Sequence, residues 1–281
     1  MIKMNDIFFE IIIPTYGKCQ YLEEAINSVI SQDYPKEKFV LTIVHDDAFK
    51  KDEYAYTYTV PLIEYETHEY DVSVKHMYLH EHKWNGGSRN EALVNPRLVH
   101  GRYILFLDHD DYIPNKNILK NLEEFIKENN FPDIIRLPYT KKYMSDGHTV
   151  TKAMPNETTL DDCINSIRVA PWTKCIKFEK LFRAPFPENT VFEDVCQHLK
   201  VCDICDTYTR FPQPVVEWRI WDGQTSAKKD KKWISSKWRF VADLMDLDLK
   251  KNETQQRRDT KVQLAIKDLL EDYKDVLGGK S

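Results

Sequence analysis

The stretch Tyr103-Ile104-Leu105-Phe106-Leu107 is apolar throughout and runs straight into Asp108-His109-Asp110-Asp111, three carboxylates in four positions. A short apolar run that stops this abruptly predicts a buried strand. Such strands fit sheets covered by helices on both faces, and open α/β sheets bind ligands beyond the carboxyl ends of their strands. Carboxylates this close repel one another unless protons or a cation relieve them. Hard divalent cations such as Mg²⁺ and Mn²⁺ prefer oxygen ligands and share them with phosphates. The run therefore predicts a metal–diphosphate site on a sheet edge. The plainer alternative is a solvated acidic turn ahead of the helix that Pro114 announces.

The same pattern recurs along the chain. Residues 8–13 predict a strand stopped by Pro14-Thr15-Tyr16-Gly17, and residues 20–32 carry helical spacing through Leu22, Ala25, Ile26, Val29 and Ile30. A second strand over 39–44 ends in His45-Asp46-Asp47, and a short third one is expected over 61–65. Gly86-Gly87-Ser88 opens a helix, residues 115–128 form an amphipathic one, and 133–137 read as a further strand. Alternating strands and helices imply a mixed, mostly parallel sheet flanked by helices. Three polar strand ends, at 14–17, 46–47 and 108–111, would then line one edge.

The second half begins with a hairpin around Asp146-Gly147. A short helix is expected over 159–167 and a strand over 172–178. A helix over 192–201 opens with Glu193-Asp194, and Pro212 and Pro214 mark edge strands or loops over 207–221. Beyond Lys228 the chain turns charged and helical, which suggests a division into a domain over 1–226 and a helical tail over 227–281. The last helix is expected near 262–276. Val262, Leu264, Ile266, Leu269 and Leu270 give it an apolar stripe that could pack within the subunit or across a homo-oligomer.

Composition narrows the classes. The 281 residues carry 45 acidic and 40 basic side chains, a net charge of −5, so no global field draws the chain to nucleic acid or anionic membrane. No transmembrane segment is expected, because no apolar run approaches the roughly 18–20 residues of a spanning helix. The start lacks a secretory signal's organisation, and a cytoplasmic protein is expected. The six cysteines form no dense framework, so reduced thiols are expected. Cys196, His198, Cys202 and Cys205 can be drawn as a zinc set, although their spacing is not a standard one. His76, His80 and His82 form a second cluster, the first two on one expected helix face. Lys228-Lys229-Asp230-Lys231-Lys232-Trp233 and Lys237-Trp238-Arg239 alternate basic and aromatic residues. That pattern suits nucleic acid, or else a solvated helix face whose tryptophans dock on the domain.

Taken in order, these motifs resemble family 2 glycosyltransferases of the GT-A fold over residues 7–226. Phe9 to Tyr16 is similar to that family's opening strand and nucleotide loop, and Tyr21-Leu22 to Gln32-Asp33-Tyr34-Pro35 to its first helix and turn. Asp46-Asp47 resembles its paired acids, Gly87-Ser88-Arg89-Asn90 its Ala-Arg-Asn helix start, and Asp108-His109-Asp110-Asp111 its acidic metal motif. Trp172-Thr173-Lys174 and Phe192-Glu193-Asp194-Val195 resemble two later signatures, and residues 217–226 a closing loop. Gly17 stands where the family often has Asn, and Ala48-Phe49 where it has Gly-Ser.

The resemblance implies a Rossmann-like GT-A domain with a C-terminal helical extension. It implies transfer of a sugar, with inversion, from a nucleotide-diphosphate donor such as a UDP-sugar to an acceptor hydroxyl, with Mn²⁺ or Mg²⁺. The acceptor it suggests is a glycan or cell-envelope polymer; nucleic acid, through the basic-aromatic tail, is the alternative. Asp110 and Asp108 would hold the metal, and Asp108 would also reach the ribose. Asp111 would be second to them, or a helix cap. Pro14, Tyr16, Asp46 and Arg89 would contact the nucleotide, with Asp46 accepting from the uracil imide. Asp194 would be the base, with Glu193 beside it. Trp172 would face donor sugar or acceptor, while Lys174, Arg219, Thr225 and Ser226 would meet phosphate. A nucleotidyltransferase would need a glycine-rich phosphate loop, which Pro14 to Lys18 is not. A nucleotide-sugar-binding protein without turnover would not need both acid sets.

Overall fold

The computed structural model describes residues 7–17, 19–46, 62–67, 72–95, 98, 100–145, 147–152, 157–166, 168–190, 192–221 and 231–277. The chain opens with β1 (Phe9–Thr15), α1 (Leu22–Ile30), β2 (Phe39–His45), β3 (Leu62–Thr67) and β4 (Ser73–Tyr78). It continues through α2 (Trp84–Val94), β5 (Tyr103–Phe106), α3 (Ile118–Glu128), β6 (Ile134–Arg136), β7 (Tyr139–Tyr143) and β8 (Thr149–Lys152). Then come α4 (Leu160–Ile164), β9 (Lys174–Lys177), α5 (Phe178–Leu181), α6 (Glu193–Ile204), β10 (Tyr208–Arg210) and β11 (Val216–Ile220). Two helices, α7 (Lys231–Met245) and α8 (Asn252–Leu277), end it.

β1 lies inside an eight-stranded sheet of order β10-β6-β9-β5-β1-β2-β4-β3. It runs parallel to β2 and β5, β2 parallel to β4, and β6 parallel to β10, while β3–β4, β5–β9 and β6–β9 are antiparallel. Alternation along β1 fills both layers. Phe9, Ile11 and Ile13 join the core under α1 and α3, and Ile12 joins the opposite core with Val44, Ile104 and Phe106. A strand buried on both faces is mostly apolar, which is why residues 103–107 and 9–13 stood out, the one buried carboxylate, Glu10, being satisfied by Thr42 of β2 at 2.7 Å. A small sheet of order β11-β7-β8 stands beside the large one, and a Tyr112–Glu217 bridge ties β11 to the acidic turn after β5.

Three expectations need correction. His76 lies on a strand, β4, and not on a helix face with His80; its Nδ1 meets His45 Nε2 of β2 at 2.9 Å. The last helix starts at Asn252, ten residues before the expected point, and follows a separate helix, α7. The drawn zinc set does not converge: Cys196 packs in a third core with Phe240 and Leu244, whereas His198 and Cys202 meet Cys163. All six cysteines are free thiols. The third core seats the C-terminal helices through Phe240, Leu244, Leu247 and Leu249 against Val169, Cys196 and Leu199, while Trp238 is exposed. No helix among the described residues is long and apolar enough to cross a membrane.

Gly101 sets the spacing of the central strands. A Cβ there would sit 2.4 Å from the Phe9 carbonyl carbon and 2.5 Å from the Glu10 nitrogen, against backbone that cannot yield. Gly101→Ala is expected to cost about 2 kcal/mol or more. Denaturant unfolding checks this, and an unchanged midpoint would show that β1 and β5 can part at no cost.

Candidate active site

β5 ends against β1, where the Leu107 amide donates to Ile12 O (3.0 Å), and the chain then turns, with the Asp111 amide donating to Asp108 O (3.0 Å). Three carboxylates share this turn in different settings. Asp111 is buried and accepts the Arg219 amide (2.8 Å). Burial first, then the charges of Asp108 and Asp110, push its carboxyl well above the usual range, so it serves the turn itself. Asp110 Oδ2 accepts the Trp221 indole N–H (2.9 Å). Asp108 is half-buried and accepts Arg89 Nη2 on Oδ1 (2.9 Å).

The second acid pair arrives from α6. Phe192, which precedes the helix, has φ +60°, a left-handed conformation that costs a bulky side chain energy and recurs at functional sites. The next two residues, Glu193 and Asp194, form the helix's first turn. Arg89, on α2 and only 2% exposed, joins the two acid sets: Nη1 donates to Glu193 Oε1 and Nη2 to Asp108 Oδ1, each at 2.9 Å. Its guanidinium lies 5.7 Å from the Phe106 ring centre and 5.5 Å from that of Phe186. Burial raises Glu193 to about 7; Arg89 opposes the shift and Asp194 adds to it. Burial also raises Asp194, against the pull of Lys174 and Arg89.

The basic residues expected at the nucleotide and its phosphates each have protein partners. Arg89 is spent on Asp108 and Glu193. Lys174 is fully buried, its Nζ held by Val169 O (2.6 Å) and Ala170 O (3.2 Å), and burial lowers it to about 8. Arg219 is buried between the Tyr21 and Tyr112 rings, with Nη1 on Asp110 O (2.7 Å). Trp172 is buried against Tyr139 and Trp218 and faces no open site. Thr225, Ser226 and Asp47 lie outside the described residues.

At the neighbouring strand ends, Pro14 is buried within β1 and Tyr16 is exposed. Asp46 is 3% exposed. Its Oδ1 accepts the Lys83 amide (2.6 Å) and its Oδ2 pairs with His82 Nδ1 (2.8 Å). Burial raises its carboxyl, while Lys83, His82 and Ser88 pull it down. The sequence places His82 only in a histidine cluster with His76 and His80, and Trp221 only in the closing-loop segment, neither with the partner found here. The available signals were an imidazole just before a glycine-rich helix start and a tryptophan two residues beyond Arg219, just past the end of β11.

The sheet edge thus gathers Asp108, Asp110, Glu193 and Asp194, with Arg89 as the shared cation. Hard carboxylate oxygens in excess of cations suit Mg²⁺ or Mn²⁺, and Asp110 Oδ1 accepts no hydrogen bond among the described residues. The set can therefore hold a divalent ion beside a carboxylate base.

Residues 10–176 match the family model described as "Glycosyl transferase family 2", more than half of the chain. The poly(ribitol-phosphate) beta-N-acetylglucosaminyltransferase TarS of Staphylococcus aureus is 28% identical over 161 residues, covering 57% of this chain and 25% of that protein. The chain therefore spans about a quarter of that curated relative's length. The crystal structure of S. aureus TarS 1-349 in complex with UDP-GlcNAc superposes with a TM-score of 0.66 at 22% identity, over 90% of this chain and 70% of that one. The mannosyltransferase PcManGT of Pyrobaculum calidifontis, in complex with GDP-Man and Mn²⁺, superposes with a TM-score of 0.57 at 14% identity, over 97% and 76%. The fold is that of the GT-A glycosyltransferases, and this chain belongs to glycosyl transferase family 2.

Proposed function

We propose that the protein moves a sugar from a UDP-sugar to a hydroxyl of a cell-envelope polymer, with inversion at the anomeric carbon. The observation that carries this reading is the Arg89 bridge. It sets the acidic turn after β5 and the acid pair opening α6 in one site, as a leaving diphosphate and an attacking hydroxyl require. TarS, a poly(ribitol-phosphate) beta-N-acetylglucosaminyltransferase crystallised in complex with UDP-GlcNAc, supports the donor and acceptor classes. Residues 1–226 would form the catalytic unit and 227–281 a helical appendage.

Asp110, with Asp108, would hold Mn²⁺ or Mg²⁺, which when bound offsets the charge of the leaving diphosphate. Asp194 takes the proton of the acceptor hydroxyl. The oxygen attacks the anomeric carbon opposite the diphosphate, the bond to that phosphate breaks, and the nucleotide leaves with the electron pair. Glu193, held by Arg89, is a positioning residue for this site, whereas the Asp194 carboxylate has no side-chain partner among the described residues. The buried ammonium of Lys174 sits beneath and favours the ionised base.

Calorimetry with Mn²⁺ and UDP-sugars tests the assignment. Asp110→Ala is expected to abolish metal-dependent binding. Asp194→Asn is expected to bind as wild type and lose turnover by about a thousandfold or more, the order of a positioned base. Retained turnover in Asp194→Asn would remove the base assignment.

The pH profile supplies a second test. Because burial raises Asp194, kcat/KM should fall on the acid side at a pH above the free-carboxylate range of about 4. Lys174→Met should move that limb to still higher pH, since the lost ammonium had favoured the carboxylate. A limb near 4 that ignores Lys174→Met would assign the proton to another group.

A further inference from the structure

We propose that His82, oriented by Asp46, is the group that reads the donor's nucleobase. The inference rests on the uridine-donor reading above and changes which atom does the reading. Asp46 has little left to offer a base: one oxygen holds the Lys83 amide, the other holds His82 Nδ1 at 2.8 Å, and Ser88 adds a further hydrogen bond. His82, by contrast, is 37% exposed. Its ring is flanked by Tyr16, with centres 4.4 Å apart and planes at 35°, and by Trp84, at 5.4 Å and 28°. Two aromatic neighbours and a carboxylate leave the imidazole little rotational freedom, and it stands beside the exposed strand end after β1.

The tautomer follows from the pairing. An ionised carboxylate only accepts, so Nδ1 is the protonated nitrogen. In the neutral ring Nε2 then carries a lone pair, and among the described residues it meets no hydrogen-bond partner. A fixed, outward acceptor beside a stacking surface complements a base with a ring N–H. Uracil presents its N3–H between two carbonyls, and guanine presents N1–H. Cytosine presents a bare N3, which would face the lone pair unfavourably. Asp46 thus acts one step removed, by holding the ring and its tautomer, as carboxylates do behind ligating histidines. Tyr16 and Trp84 steady the reading ring.

The test is calorimetry at about pH 8, where an ordinary imidazole is neutral. The wild-type protein with Mn²⁺ is titrated with UDP, CDP, GDP and N3-methyl-UDP, and His82→Ala with UDP, CDP and GDP. Wild type should bind UDP at least tenfold more tightly than CDP or N3-methyl-UDP, about the worth of one well-placed hydrogen bond. His82→Ala should bind UDP about tenfold more weakly and no longer distinguish it from CDP. If Asp46 itself reads the base, removing His82 frees an oxygen. UDP would then bind as tightly or more tightly with its preference over CDP intact, which overturns the proposal. Equal wild-type affinity for UDP and N3-methyl-UDP overturns it without any variant. Wild-type binding of GDP in place of UDP would instead overturn the uridine-donor reading, while a loss of GDP affinity in His82→Ala would keep the His82 assignment for guanine.

Discussion

A buried guanidinium between two carboxylates organises this molecule. Arg89 leaves water almost completely, a step costing several kcal/mol that only close opposite charges can offset. Glu193 and Asp108 supply those charges from elements far apart in sequence, the start of α6 and the end of β5. The ion pairs are therefore also a distance restraint. They hold the helix that brings Glu193 and Asp194 against the sheet edge that brings Asp108 and Asp110. One arginine cannot neutralise this many acids, and the surplus negative charge is what a divalent ion and its diphosphate partner would meet.

The other buried cations follow the same logic. Arg136 binds Glu157, Thr173, Ser166 and Arg168 O, and so ties the connections on either side of α4 to the central sheet. Lys174 spends its ammonium on two carbonyls at the entrance to β9. Arg219 joins β11 to the acidic turn, next to the Trp221 contact with Asp110. Irregular connections carry carbonyls and amides without ladder partners, and buried side-chain donors satisfy them. These connections shape the site from beneath, which is why its basic residues point into the protein.

The architecture was legible wherever burial is two-sided. β1, β2 and β5 are mostly apolar runs because both faces meet side chains, with Glu10 and Thr42 bonded to each other across β1 and β2, and the acids at their ends stand out against that background. β4 was not legible, because Lys75 and His76 interrupt its apolar positions and their partners, Glu10 and His45, lie on other strands. α8 begins with Asn252 to Arg258, nearly two polar turns, and its apolar stripe starts only near Val262. In the site, acidic positions could be read because a carboxylate at a strand end has few structural uses. The protein partners of Arg89, Lys174 and Arg219 could not, since the sequence does not say which buried carboxylate or carbonyl a cation meets until tertiary packing chooses.

α2 connects the two halves of the proposed chemistry. Its entrance carries Lys83 and His82 on Asp46, and its second turn carries Arg89 on Asp108 and Glu193. From Lys83 to Arg89 a helix advances about 9 Å, at 1.5 Å per residue. That is the scale separating a nucleobase from its diphosphate. On the proposed assignments the helix would space base recognition from sugar transfer. Gly86 lies against Pro187 O, where a Cβ would approach to 2.4 Å, so α2 also packs directly on the segment leading into α6. A displacement of α2 would therefore move the base-reading ring and the acid-bridging guanidinium together. Donor binding at the His82 end would in this way be mechanically tied to the carboxylates that Arg89 holds.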